Sequence, residues 1–137
     1  MRHWLFKSEP DAWSWDQQVA RGDAGEEWSG VRNYQARNFM REMDVGDRGF
    51  FYHSQTDKAV VGIVEIIALA HPDSTTDDPR WECVDLKAVA ALPMPVTLDQ
   101  IKARADLADM VLVKNSRLSV QPVAEAEWAI ICEMGGT

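Results

Sequence analysis

The chain has 137 residues, 46% of them hydrophobic and 26% charged, with a net charge of −8. A chain of this length forms one domain with a core large enough to need no disulfide or metal staple. Its acidity excludes a general nucleic-acid coat protein, which must neutralise phosphates along its surface.

The longest apolar run, Ala59–Ala70, is broken by Glu65, and charges interrupt the N-terminus early, so neither a membrane span nor a signal peptide is expected. The chain therefore reads as soluble and cytoplasmic, with Cys83 and Cys132 as separate reduced thiols. A strand opens at His3–Phe6. Ser14-Trp15-Asp16-Gln17 is a capping box, and its helix stops near the Gly22-Asp23-Ala24-Gly25 turn. Asn33 caps a helix over Tyr34–Met43, in which Ala36, Phe39, Met40 and Met43 share an apolar face.

Gly49–Ser54 and Ala59–Ala70 read as strands joined by the Gln55–Lys58 turn, the second apolar enough to be covered on both faces. After the loop His71–Pro79, a strand is expected over Trp81–Val89, with Val84, Leu86 and Ala88 on one face and Trp81 and Cys83 on the other. Thr97-Leu98-Asp99-Gln100 is a second capping box, flanked by Val96 and Ile101 as a hydrophobic staple. Leu118–Val123 reads as a short strand and Ala124–Glu133 as a helix or helix-to-strand segment. Strands in the middle and helices at the ends predict a mixed α/β (α+β) fold, a small barrel or strongly curved sheet.

Catalytic patterns are missing. His53 and Ser54 are neighbours on a strand and face opposite ways, so they cannot act as base and nucleophile, with or without Asp57. No Gly-x-Ser-x-Gly elbow occurs, and Gly46-Asp47-Arg48-Gly49 is a turn rather than a phosphate cradle. His3, His53, His71 and the two cysteines have no partner at metal-ligand spacing.

Two stretches, Trp28–Arg41 and Met110–Ala124, hold Arg32, Arg37, Arg41, Lys114 and Arg117 with no acid among them. Within the first, Trp28-Ser29-Gly30-Val31-Arg32-Asn33 sets an aromatic plate beside a hydroxyl, a flexible backbone and hydrogen-bonding side chains. Flat heterocycles are read by such groups, a ring stacking on the aromatic while polar atoms meet its edge. The same residues also fit a core indole, a turn and a solvated cap.

Trp4-Leu5-Phe6-Lys7-Ser8-Glu9-Pro10, Trp28–Asn33, Phe51-Tyr52-His53-Ser54 and Ser116-Arg117-Leu118-Ser119-Val120-Gln121-Pro122 resemble the EVE domain family, in the family's order from Trp4 to Trp128. The resemblance implies a PUA-like fold related to YTH domains. It also implies a non-catalytic, monomeric domain, without cofactor, that binds DNA or RNA by taking a modified base into an aromatic-walled pocket. Trp28 then stacks on the base, Trp81 gives a second wall by strand order, and Ser29, Asn33 and the Lys7-Ser8 backbone read the edge. Arg32 and Arg117 hold phosphate. Tyr52, His53 and Ser54 line the floor or rim in alternation, and Ser119 and Gln121 face in together. Trp4, Trp13, Trp15 and Trp128 are expected in the core or at its margin, and Arg37 and Arg41 outside the site. Asn33 also serves as a helix cap, His53 also suits a structural role, and Gln121 before Pro122 also suits a turn. The loop His71–Pro79 is short for the family, which alters a lid over the pocket. The alternative is an enzyme on a modified base or nucleotide, with Glu9 or Asp11 as its base. A protein-interaction module would need a large exposed apolar patch.

Overall fold

A computed structural model describes residues 1–137. Six strands, β1 (His3–Ser8), β2 (Glu26–Glu27), β3 (Arg48–His53), β4 (Ala59–Pro72), β5 (Glu82–Thr97) and β6 (Val120–Val123), form one sheet in the order β2-β5-β4-β3-β1-β6. All neighbours are antiparallel except β1 and β3. The helices are α1 (Trp15–Ala20), α2 (Tyr34–Glu42), α3 (Leu98–Lys102), α4 (Val111–Lys114) and α5 (Glu125–Met134). None is long and apolar enough to cross a membrane.

The sheet curves but does not close into the barrel that stood as one expectation. Register breaks between β4 and β5 at Val60/Gly62, Ile63/Val64, Ile66/Ala68 and Ala68/His71 bend the long pair. Both edges are poor at further pairing. Strand β2 has only two residues, both glutamates, and β6 contains Pro122, which has no N–H to give.

Period-two alternation along β1 and β3 sorts the core into two layers. Trp4, Phe6 and Phe51 join Trp28, Met40 and Leu86 on the face covered by α1 and α2. Leu5, Phe50 and Tyr52 join Val96, Ile101 and Ile131 on the other. The staple pair Val96 and Ile101 is buried as expected. Strand β4, read as covered on both faces, is so only in its first half; from Ile67 on it is half-exposed or exposed.

Strand β5 corrects the sequence reading twice. It begins at Glu82, leaving Trp81 outside, and runs on to Thr97 through Pro93 and Pro95. The two prolines fall where the β4–β5 ladder is interrupted, between the Gly62↔Ala91 and Val60↔Val96 pairs, so no ladder bond is lost to them. Cys83 and Val84 are both fully buried in the same core layer, the thiol also donating to Glu27 of β2, so strict alternation does not sort them into inside and outside.

Helix α1 is seated by three local devices. Ser14 and Gln17 make the reciprocal cap. His53 Nε2 accepts the Trp15 amide at 3.0 Å, and its Nδ1 meets Asp57 at 2.9 Å. Gly62 leaves room for the Trp15 ring, which a Cβ would approach to 2.4 Å.

Candidate functional site

A cavity of about 450 Å³ opens on the α1–α2 side of the sheet, lined by Lys7, Ser8, Glu9, Ala12, Trp13, Glu26 through Arg32, and Ser119. The end of β1, the turn into α1 and the segment from β2 to α2 build it together. Its volume lies within the range of small-ligand sites. A groove of about 480 Å³ beside Met1, His3 and Glu125 has no tryptophan.

Trp28 is rooted in the core. Only 7% of it is exposed, and it meets Phe6 and Phe51 edge to face at 5.4 and 5.6 Å. Its amide donates to the Val84 carbonyl at 2.9 Å. Trp13, expected in the core or at its margin, packs against the margin of the core and is also the second indole of the lining. Its Nε1 donates to Gln18 Oε1 at 2.9 Å, and buried Gln18 is itself tied to the Leu86 carbonyl at 3.0 Å. Ser8 Oγ donates to the Trp13 carbonyl. Both indoles are thus fixed before any ligand arrives, which lowers the ordering cost of binding. The sequence did carry a signal for Trp13. It stands just before the Ser14 cap, where a staple needs an apolar partner four residues into the helix; Gln18 stands there instead.

Carboxylates hold the wall in place. Buried Asp73 accepts from the Gly30 amide (2.8 Å), Arg32 Nη1 (3.1 Å), and the amide and hydroxyl of Thr75 (2.8 and 2.5 Å). Desolvation raises its pKa, yet the Thr75, Gly30 and Arg32 hydrogen bonds outweigh it and bring the group to about 2. Gly30, at φ +84°, turns its N–H to that carboxylate. Glu27 takes the Ser74 amide at 2.7 Å and hydroxyl at 2.6 Å. The loop after β4 is therefore latched twice to the cavity wall.

Glu27 also accepts the Cys83 thiol at 3.3 Å. Its burial opposes ionisation, but the Ser74 and Cys83 hydrogen bonds prevail and move its pKa down, away from the range of a general base. Sequence spacing offered no metal set, but the His71↔Cys83 strand pairing brings donor atoms of Glu27, His71 and Cys83 within 4.8 Å of one another. All three are engaged within the protein: His71 Nε2 with Asp85 at 2.7 Å, its Nδ1 with the Pro72 carbonyl at 3.0 Å, and the thiol with Glu27.

Of the residues picked from the sequence, Lys7, Ser8, Trp28, Ser29, Arg32 and Ser119 converge on this cavity. Both polar ends of Lys7 are engaged within the protein: its amide donates to the Ser119 carbonyl at 2.8 Å, and its ammonium donates to the Ser116 carbonyl at 2.7 Å and sits 5.9 Å from the Tyr52 ring. Tyr52 is buried in the opposite core layer, and Ser54 donates its amide to the Ser8 carbonyl at 2.9 Å. His53 holds α1, as described. Asn33 is an exposed cap whose Oδ1 accepts the Ala36 amide at 2.9 Å. Gln121 is fully buried, its Nε2 bonded to the Leu118 carbonyl and its Oε1 without a partner. Arg117 lies exposed in the turn before Ser119 and outside the lining. Trp81 stacks on Tyr34 instead of facing the cavity. Asp11 borders a separate polar cleft with Gln55 and Asp57.

The EVE domain family model matches residues 2–134. The chain belongs to the EVE domain family. Thymocyte nuclear protein 1 of Gallus gallus is 35% identical over 96% of this EVE domain and 68% of its own length. A protein of Agrobacterium tumefaciens of solved structure is 58% identical, with a TM-score of 0.98 over 99% of this chain and 94% of that one. The human THYN1 protein, solved in complex with DNA containing 5-methylcytosine, is 31% identical, with a TM-score of 0.93 over 100% and 99% of the two chains. The fold alone extends to a YTH domain of Zygosaccharomyces rouxii, at a TM-score of 0.60 and 17% identity over 99% and 87%. This is the YTH-related, PUA-like architecture the motifs implied.

Proposed function

We propose that this EVE domain binds nucleic acid and reads a modified base by enclosing it in the Trp13–Trp28 cavity, without catalysis. The observation that carries the reading is the pair of indoles lining one cavity, each fixed by the surrounding fold. The human relative, bound to 5-methylcytosine DNA, makes that base the first to test.

The polar groups suit an amine-bearing base. Glu9 and Glu26 line the cavity, and each has one carboxylate oxygen with no protein partner. Cytosine presents an N4 amine donor where thymine presents an O4 acceptor, so carboxylates favour the first. A methyl group alone could not separate 5-methylcytosine from thymine, which carries it too. The cations do little inside: Arg32 is bound to Asp73, and Lys7 is turned to Ser116. Arg32 and Arg117 would meet phosphate only at the rim.

The test compares short oligonucleotides bearing 5-methylcytosine, cytosine or thymine at one position, titrated with wild type and Trp13→Ala. Wild type should prefer 5-methylcytosine to both others. Trp13→Ala should lower that affinity roughly 5- to 150-fold, the worth of one base–aromatic stack. Equal affinity for all three bases would contradict the reading, and new products in the mixture would point to an enzyme.

A further inference from the structure

Outside the cavity, the acid-free N-terminus of α2 carries an arrangement that base enclosure does not use. Tyr34 and Trp81 stack with centroids 5.0 Å apart and planes at 28°. The Arg37 guanidinium lies 4.9 Å from the Tyr34 ring and 6.0 Å from the Trp81 ring. Tyr34 is nonetheless 50% exposed. Arg80, whose charge is paired with Asp78 at 2.6 Å, donates to the Tyr34 hydroxyl at 3.1 Å, and Arg37 donates to the Arg80 carbonyl at 2.8 Å, so the ring and both arginines are held in one arrangement. Arg32 joins the patch to the cavity, lining one and standing 5.5 Å from the Trp81 ring in the other.

We infer that Tyr34 and Trp81 are a stacking platform for the nucleotide adjacent to the enclosed base, with Arg37 meeting its backbone phosphate. This rests on the cavity reading and extends it from one base to two. A base laid on the exposed part of the Tyr34 ring would extend the Trp81–Tyr34 pair. Every base has a π-face, so the contact adds affinity without sequence preference. Arginine supplies both the phosphate partner and the cation beside the rings. An acidic protein thereby gains a short cationic footing, not a long groove.

The experiment uses single-stranded pentamers with 5-methylcytosine or cytosine at the centre, and the same pair with abasic residues on both sides. Wild type, Tyr34→Ala, Tyr34→Phe and Arg37→Gln are compared at low and moderate salt. Tyr34→Ala should weaken both intact pentamers by the same factor, about 5- to 150-fold, and leave their affinity ratio unchanged. It should have no effect on the abasic pair, and Tyr34→Phe should bind like wild type. Arg37→Gln should reduce the slope of log affinity against log salt by about one. Wild-type affinity of Tyr34→Ala for the intact pentamers, or an equal loss on the abasic ones, would overturn the platform alone. Absence of any preference for the methylated pentamer in wild type would overturn the cavity reading, and the platform with it.

Discussion

Trp28→Ala is expected to cost about 3–5 kcal/mol of folding stability, the range for truncating a large buried aromatic. Trp28 is almost wholly enclosed, and its edge-to-face contacts with Phe6 and Phe51 join the helix-covered side of the core to the cavity wall. Small domains have only about 5–15 kcal/mol in total, so this variant should stand close to unfolding at ordinary temperature. Urea titration reads the loss as a fall in midpoint at unchanged slope. Trp28→Phe, which keeps an aromatic ring against Phe6 and Phe51, should lose much less. A stability change below about 1 kcal/mol in the alanine variant would mean that Trp28 is not packed as described. This double duty is why Trp13, half-buried and rooted through Gln18, is the cleaner probe of binding.

Asp73→Ala should have the second-largest effect, about 1–3 kcal/mol, because it removes a buried carboxylate that accepts charge-assisted hydrogen bonds from the Gly30 and Thr75 amides. It also removes one of the two latches on the loop after β4, so amides of residues 74–80 should exchange hydrogen faster than in wild type. Acid should do reversibly what the mutation does permanently. Asp73 titrates near 2 in the folded chain, against about 3.9 for a free aspartate. A depressed carboxylate stabilises the fold above the unfolded pKa and loses that effect as pH falls through the folded one. The stability gap between wild type and Asp73→Ala should therefore be full above about pH 4 and close as pH falls toward 2. A gap that stays constant between pH 5 and pH 2 would show that Asp73 does not act through its charge.

Local chemistry was the part of this fold most open to reading. Ser14, Asn33 and Thr97 all cap helices as their neighbours three residues on require, and the Val96–Ile101 staple is buried. Those features depend on a handful of adjacent residues. Strand β5 runs past the expected end at Val89 to Thr97, and Pro93 and Pro95 are accommodated only because they fall where its ladder with β4 is interrupted. Trp81 was placed at the cavity by strand order, yet it lies in the loop before β5 and finds Tyr34. The Glu27–Ser74 and Asp73–Gly30 latches join residues more than 40 positions apart, and no local pattern announces them. Fewer than half of the picked site residues converge, and they lie at the end of β1, between β2 and α2, and just before β6. Arg37, set aside from the sequence as lying one turn into α2, belongs to the neighbouring stack.

The central claim is that a modified base enters the space between Trp13 and Trp28. The most direct measurement is a ¹⁵N-correlated NMR spectrum of the wild-type protein, with its six tryptophan indole signals assigned, during titration with a pentamer carrying 5-methylcytosine. The Trp13 and Trp28 indole signals should shift saturably, at a lower concentration than with the cytosine pentamer, while the distant Trp128 signal stays in place. Binding that shifts neither Trp13 nor Trp28, or shifts them equally for methylated and unmethylated strands, would contradict the account.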